Sequence, residues 1–328
     1  MRKFFPLIVA SACFLSGMPA AYAQGPQEAK AHYPDKPIRI VVAYAAGQGT
    51  DTVTRYITEL MGKDLGQSFV VDNRAGAGGN LGTEAAARAP ADGYTLTMGT
   101  NATHVLNQFL YSKIPFDAEK DFEPIGLVGT FPMIVAVNND VPFASVADLL
   151  AATKRKSGTA DIAMPSTTAR LVVELLKEKT GVPLFGVPYK GSGSAMTDVI
   201  GAQLPAIVDT PTALRSHIAS GKVKAIGVTS VKPSGLVPGV KPVAEQGIDG
   251  FEVIAWNALY APKGTPPAVI ATLNAALNKV LARPEVHQRL LDLGFEPAGG
   301  SPAKLAEFAR AERSKWGPLI QAAGIRVD

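Results

Sequence analysis

The run Ile38-Arg39-Ile40-Val41-Val42-Ala43-Tyr44 passes at once into Ala45-Ala46-Gly47-Gln48-Gly49-Thr50-Asp51. An apolar, β-branched run that gives way to small residues reads as a strand entering a tight turn. Val53, Ile57, Leu60 and Met61 then recur at helical spacing. The pattern repeats directly. Ser68-Phe69-Val70-Val71 reads as a second strand, and Asp72-Asn73-Arg74-Ala75-Gly76-Ala77-Gly78-Gly79-Asn80-Leu81-Gly82 leads into another helix. Two successive units of strand, glycine-rich turn and helix predict an α/β sheet.

The first turn of a helix leaves N–H groups without partners, and the helix dipole adds partial positive charge there. Glycine lets a ligand approach that backbone closely. The two turns therefore form a candidate anion cradle. The same glycines also suit any tight strand-to-helix junction. One turn does not separate these readings, whereas the pair favours the cradle.

Working outward, Thr95-Leu96-Thr97-Met98-Gly99-Thr100 is a third strand, and its polar end, Thr100-Asn101-Ala102-Thr103-His104, is expected to face the same cleft. Ligands of parallel α/β sheets sit beyond the carboxyl ends of strands. Ile125–Val128 and Met133–Val137 follow as strands, and Val146–Thr153 as a helix with Ser145 as its N-cap. A second series begins near Asp161. Its turns are Pro165-Ser166-Thr167-Thr168, Pro188-Tyr189-Lys190-Gly191-Ser192-Gly193-Ser194 and Asp209-Thr210-Pro211-Thr212, each between a strand and a helix. After Phe251–Trp256 the chain reads as helical, over Pro266–Leu281, Pro284–Leu293 and Pro302–Ala323. These helices are expected to return to the first domain. The expected organisation is residues 24–130 with 256–328 as one α/β domain, residues 131–255 as a second, and two crossings near Thr130 and Ala255.

Composition bounds the function. The 328 residues are 47% hydrophobic and 18% charged, which suits packed domains and excludes a disordered chain. The formal charge of +4 includes Arg2 and Lys3 of a leader, so it argues against a dedicated nucleic-acid binder and leaves anion binding to local groups. Met1-Arg2-Lys3, the apolar run Phe4–Leu15 and Ala21-Tyr22-Ala23 read as a signal peptide, residues 1–23, cleaved near Ala23. The one cysteine, Cys13, lies within it, so the mature chain is expected to lack disulfides and thiolate chemistry. His32, His104, His217 and His287 are scattered, and neither a metal nor a cofactor is expected.

A set of short motifs, in order along the chain, resembles the substrate-binding proteins of tripartite tricarboxylate transporters, the Bug family. They are Tyr33-Pro34-Asp35-Lys36-Pro37-Ile38-Arg39-Ile40-Val41-Val42, Asn73-Arg74-Ala75-Gly76-Ala77-Gly78-Gly79, Ala91-Asp92-Gly93-Tyr94-Thr95-Leu96, Asp121-Phe122-Glu123-Pro124-Ile125, Val187-Pro188-Tyr189-Lys190-Gly191, Ser220-Gly221-Lys222 and Ala261-Pro262-Lys263-Gly264-Thr265-Pro266. The resemblance covers nearly the whole mature chain. It implies a two-domain, type II periplasmic-binding-protein fold that closes as a Venus flytrap on a small carboxylate. It further implies a periplasmic, monomeric protein that is not an enzyme, with inner-membrane transporter subunits as partner. A sensor receptor uses the same binding physics and stands as the alternative partner.

Carried over residue by residue, the resemblance assigns ligand binding to Ala46, Gly47, Gln48 and Gly49, to Gly78, Gly79 and Asn80, and to Thr100 and Asn101. From the second domain it assigns Ser166, Thr167 and Thr168, then Tyr189, Lys190, Gly191 and Ser192, then Asp209 and Thr210. Two departures stand out. The first turn carries Gln48 where the family has paired glycines after proline. The second domain has Pro165-Ser166-Thr167-Thr168 where the family has a Gly-rich turn, with Arg170 or its neighbour at the usual histidine position. Two enzyme readings fit less well. Gly76 to Gly82 gives G-x-G-x-x-x-G, but no acidic residue ends the next strand to hold a ribose. An exported hydrolase would need a nucleophile elbow, and no G-x-S-x-G is present.

Overall fold

The computed structural model describes residues 33–155 and 161–327, besides Met1. The leader, with Cys13 and the cleavage position near Ala23, lies outside the described residues. In chain order the elements are β1 (Ile38–Val42), α1 (Gly49–Leu65), β2 (Phe69–Asn73), α2 (Asn80–Ala87), β3 (Thr95–Thr100), α3 (Asn107–Leu110), β4 (Phe122–Pro132) and β5 (Ile134–Asn138). There follow α4 (Val146–Arg155), β6 (Ile162–Met164), α5 (Thr167–Thr180), β7 (Gly186–Pro188), α6 (Ser192–Ile200), β8 (Ala206–Asp209), α7 (Pro211–Ala219) and β9 (Val223–Val228). The last are β10 (Ile254–Pro262), α8 (Pro267–Leu281), α9 (Pro284–Asp292), β11 (Glu296–Pro297) and α10 (Pro302–Ala322).

The strands form two mixed sheets. The six-stranded sheet has the order β11-β4-β10-β3-β1-β2, with β2, β1 and β3 parallel and β10, β4 and β11 antiparallel. The five-stranded sheet has the order β7-β6-β8-β5-β9, parallel across β7, β6 and β8. Apolar periodicity explains the layers. Val53, Ile57 and Met61 of α1 are fully buried, as are Ile38 and Ile40 of β1 and Leu96 and Met98 of β3. β3 is buried along its whole length, as a central strand covered on both faces must be. Around the second sheet Ile134, Ala136, Ala163, Met196, Val199, Ile207 and Leu214 form one apolar cluster.

Three sequence expectations change. Most helices of the second series start two residues or more earlier than the apolar periodicity suggests, because Ser166 and Thr210 cap α5 and α7 from within the polar turns. The strand through Trp256 continues to Pro262, because β10 is paired on both sides, by β3 and β4. The continuous apolar run Ala258–Ala261 carries no period that would tell a buried strand from a helix. His104 does not face the cleft. It is buried in a π-helical turn, Ala102–Leu106, and stacks on Tyr260 at 4.1 Å. Burial, with Arg313 nearby, pushes its pKa down to about 3, so it is a neutral core histidine. The C-terminal helices α8 and α10 pack on β4 of the six-stranded sheet.

The chain passes between the sheets twice, at Met133 and between β9 and β10. Thr229 ties both passages. Its N–H donates to Met133 O at 3.0 Å, and its hydroxyl accepts from Met133 N at 2.8 Å. Its carbonyl accepts from Val253 N at 2.9 Å, and its hydroxyl donates to Val253 O. Thr229 is fully buried. Thr229→Val keeps the shape but strands the buried Met133 N–H, which costs about 1–3 kcal/mol. Thermal unfolding of this variant should show a midpoint several degrees below that of the parent; an unchanged midpoint would show that the tie is not used.

Candidate ligand-binding cleft

The turns after β1, β2 and β3 and those after β6, β7 and β8 face one another across a cleft. Gln48 caps α1 without a side-chain bond to the helix, and its side chain instead folds over the turn. Its Oε1 accepts from Ala45 N at 3.0 Å, and its Nε2 reaches Ser192 Oγ of the other sheet at 3.5 Å. Asp51 staples the first turn to the second. It accepts from Gly47 N at 2.8 Å, Asn73 Nδ2 at 2.8 Å and Arg55 Nε at 3.0 Å. Burial alone would raise the Asp51 carboxyl, but these donors hold it below its ordinary value. Asp51 is thus a structural anion at a helix start.

The second turn runs through four residues with positive φ, from Gly76 to Gly79. The glycines there do different work. A Cβ on Gly79 would come within 2.7 Å of Thr103 Cγ2, so Gly79 serves the packing of the turn. A Cβ on Gly78 would stand 2.2 Å from Tyr111 Oη and 2.6 Å from Thr167 Oγ1, so Gly78 brings its backbone up against the opposite sheet's α5. Asn80 lies beneath the turn, where its Oδ1 accepts from Asn107 Nδ2 at 2.6 Å.

On the other side, Ser166 Oγ accepts from Ala169 N at 3.2 Å and Thr210 Oγ1 from Ala213 N at 3.2 Å. Asn101 Nδ2 donates across the cleft to Thr168 Oγ1 at 3.2 Å. Tyr189 Oη donates to Asp198 Oδ2 at 2.5 Å, and this bond, with burial, pushes its pKa up to about 12. Its hydroxyl is therefore committed, and its side chain packs against the apolar cluster of the second sheet. Two arginines of the second sheet's helices reach across to the first sheet's helices and the chain's end. Arg170 donates to Val327 O at 3.1 Å and Arg326 O at 3.0 Å, and Arg215 donates to the carbonyl of Asp292.

Two neighbouring spaces result, which share Tyr44, Gln48 and Ser166 in their walls. A small cavity of about 40 Å³ is lined by Gln48, Gly49, Thr100, Asn101, Ser166, Thr168, Ser192, Asp209 and Thr210, all sequence candidates. A larger chamber of about 540 Å³ is lined by Gln48, Gly78, Gly79, Ser166, Thr167, Tyr189 and Lys190 among others. Ala46 and Gly47 are exposed and Asn80 is buried, and none of the three lines either space. Gly191 packs beside the Gln48 side chain.

The sequence reading missed several wall residues. Tyr44 lines both spaces, and its hydroxyl bonds Thr100 Oγ1 at 2.9 Å. Burial pushes its pKa up to about 12, against the pull of that bond. Phe131, Met133 and Ala255 form the floor of the small cavity at the two crossings. Tyr111 and Val327 join the larger chamber with Arg170, and only a fold could bring these together. Tyr44 had a signal, because it ends the strand that enters the first turn.

Among the described residues, no lysine, arginine or histidine lines the small cavity, and its one acid is Asp209. Thr210 N donates to its Oδ1 at 2.7 Å. Burial pushes the Asp209 carboxyl up to about 6, against the Thr210 N–H and the Ser192 hydroxyl, which pull it down. A carboxyl raised on folding binds its proton more tightly in the native state. Stability is therefore greatest below the unfolded value near 3.8 and is lost as pH rises through about 6. The loss amounts to roughly 3 kcal/mol at most. Asp209→Asn removes the charge, so without added ligand it should raise the melting temperature over the parent above pH 7 and have less advantage near pH 4. A difference that stays constant from pH 4 to 8 would refute the burial cost.

Residues 53–325 match the family described as "Tripartite tricarboxylate transporter family receptor". Among solved structures, the chain is similar to the periplasmic binding protein BugD, at 35% identity and a TM-score of 0.84, over 90% of this chain and all of that one. Rhodopseudomonas palustris Rpa4515 with adipate shares 31% identity and a TM-score of 0.86, over 90% of this chain and all of that one. MatC from the same organism, with bound malate, shares 32% identity and a TM-score of 0.82, over 88% of this chain and all of that one. With a family match across most of its length and a shared two-sheet fold, the chain belongs to the receptor family of the tripartite tricarboxylate transporters, the solute-binding proteins that include BugD.

Proposed function

We propose that the protein captures a small carboxylate in the periplasm and hands it to inner-membrane transporter subunits. The reading takes residues 1–23 as a leader removed near Ala23. It takes residues 24–130 with 256–328, and residues 131–255, as two lobes that close on the ligand, and the mature chain as a monomer that binds without turnover. One observation carries it. The cleft wall is made of hydroxyls, amides and helix starts drawn from both sheets. Neutral donors of this kind suit a carboxylate, because each N–H or O–H bond to a charged oxygen is stronger than to a neutral one. The adipate and malate found with two relatives support the same ligand class.

Isothermal titration against mono- and dicarboxylates should give saturable binding, with the ligand recovered unchanged. Binding confined to cations or neutral sugars would sink the reading. Closure is tested separately. Small-angle scattering should show a smaller radius of gyration with a bound carboxylate than without. Gly78→Ala places a methyl where Tyr111 and Thr167 meet the turn, so this variant should compact less and bind about tenfold more weakly, ~1.4 kcal/mol. A variant that compacts and binds as the parent does would remove Gly78 from the mechanism.

A further inference from the structure

Asp209 is the last residue of β8 and is 2% exposed. Its two carboxylate oxygens are treated differently. Oδ1 accepts from Thr210 N at 2.7 Å, whereas Oδ2 has no hydrogen bond of good geometry from the described residues; the Ser192 hydroxyl, which accepts from Gln48 Nε2 at 3.5 Å, lies near enough to the carboxyl to favour its charged form but does not close that bond. A buried carboxylate oxygen left without a donor is costly and rare. Asp209 lines the small cavity, and the only other titratable group lining it among the described residues is Tyr44. A ligand carboxylate set against Oδ2 would place two like charges within a few ångströms in a dry site, which disfavours both.

We propose that the ligand carries, beside its carboxylate, a hydroxyl or ammonium group that donates to Asp209 Oδ2. This deepens the carboxylate reading above and rests on it. The geometry divides the ligand accordingly. The small cavity, about 40 Å³, admits a group of a few atoms and not a chain. The chamber of about 540 Å³ beside it takes the body of the ligand, near the Gly78 turn, Lys190 and Arg170. Tyr44, Gln48 and Ser166 line both spaces, so a substituent and the carbon skeleton that bears it fit side by side. A site built with an unmatched acceptor also rejects the analogue that lacks the donor, because binding that analogue leaves Oδ2 unpaired.

The test uses ligands of equal skeleton. Affinities at pH 7.5 are measured for succinate, malate and aspartate; for glutarate, 2-hydroxyglutarate and glutamate; and for phenylacetate, mandelate and phenylglycine. In whichever series binds, the hydroxyl or ammonium member should bind at least about tenfold more tightly than the unsubstituted acid. Which of the two wins identifies the donor. In Asp209→Asn the preference should fall to about threefold or less while the protein stays folded by thermal melt. An unsubstituted acid that binds as tightly as its hydroxy or amino partner, as it would if an ordered water served Oδ2, overturns the proposal and leaves the carboxylate reading standing. A preference that survives in Asp209→Asn overturns it too. Should that variant not fold, the ratios in the parent protein decide alone. If no carboxylate binds at all, the failure is that of the carboxylate reading, and this proposal falls with it.

Discussion

The arrangement of the cleft depends on one buried threonine. Thr229 meets Met133 and Val253 through both its backbone and its hydroxyl, so the two passages between the sheets are held as a single joint. Neither passage is a free linker. Met133 is the one residue between β4 and β5, and Val253 immediately precedes β10. Fixing these two points fixes the ends of β4, β5 and β10 relative to one another. Phe131, Met133 and Ala255 consequently become the floor of the small cavity. Joint and binding floor share Met133, so a ligand resting there touches the element about which the sheets would move.

Above that floor the chemistry is nearly neutral. The small cavity gathers hydroxyls and amides, and helices α1, α5, α6 and α7 all begin beside it. Each helix start carries about half a positive charge, delivered through oriented N–H groups. Such donors need no counter-ion and are already desolvated, so they bind an anion without the penalty of burying a lysine. Against this background Asp209 is the exception. Its carboxyl is the one formal charge in the small cavity, and burial raises its pKa to about 6. An acid in such a place is costly to the empty protein; the Thr210 N–H and the Ser192 hydroxyl offset part of that cost, and a further donor to the carboxyl would offset more.

Much of this was legible in the sequence, for identifiable reasons. Strand-to-turn-to-helix junctions announce themselves through apolar runs ending in glycine or hydroxyl residues, and that pattern located the turns; the resemblance singled out Gln48, Gly78, Thr100, Ser166, Thr168 and Asp209 within them, and all six line the cleft spaces. The signal failed where position along the chain and position in space part company. Asn80 has the right place in its turn, yet its side chain is used by Asn107 beneath it. Ala46 and Gly47 share the turn with Gln48 but sit on its outer side, because Asp51 pulls Gly47 N inward and swings the tip to solvent. His104 follows a strand end, but the π-helical turn rotates it into the core. Tyr111 and Val327 have no local pattern at all. They reach the chamber only through the packing of the chain's end, and no periodicity encodes that.

The packing of the chain's end bears on closure. Arg170 donates from α5 to the carbonyls of Arg326 and Val327, and Arg215 donates from α7 to the carbonyl of Asp292. With the Asn101–Thr168 and Gln48–Ser192 contacts, these bonds link segments packed on opposite sheets. Neutral bonds contribute about 0.5–1.5 kcal/mol each and bonds from a charged donor about 1.5–3. The arginine bonds are exposed or only part-buried, which reduces their worth, and what remains is set against the entropy of ordering the side chains that make them. A receptor poised in this way neither stays shut when empty nor resists closing. The differential affinity of the ligand for the two arrangements then sets their populations. Because Arg170 and Val327 also wall the larger chamber, a ligand that fills it bears directly on the latch. Ligand size and closure are thereby coupled at the C-terminal segment, while ligand chemistry is read at Asp209, and the Thr229 joint lies between the two.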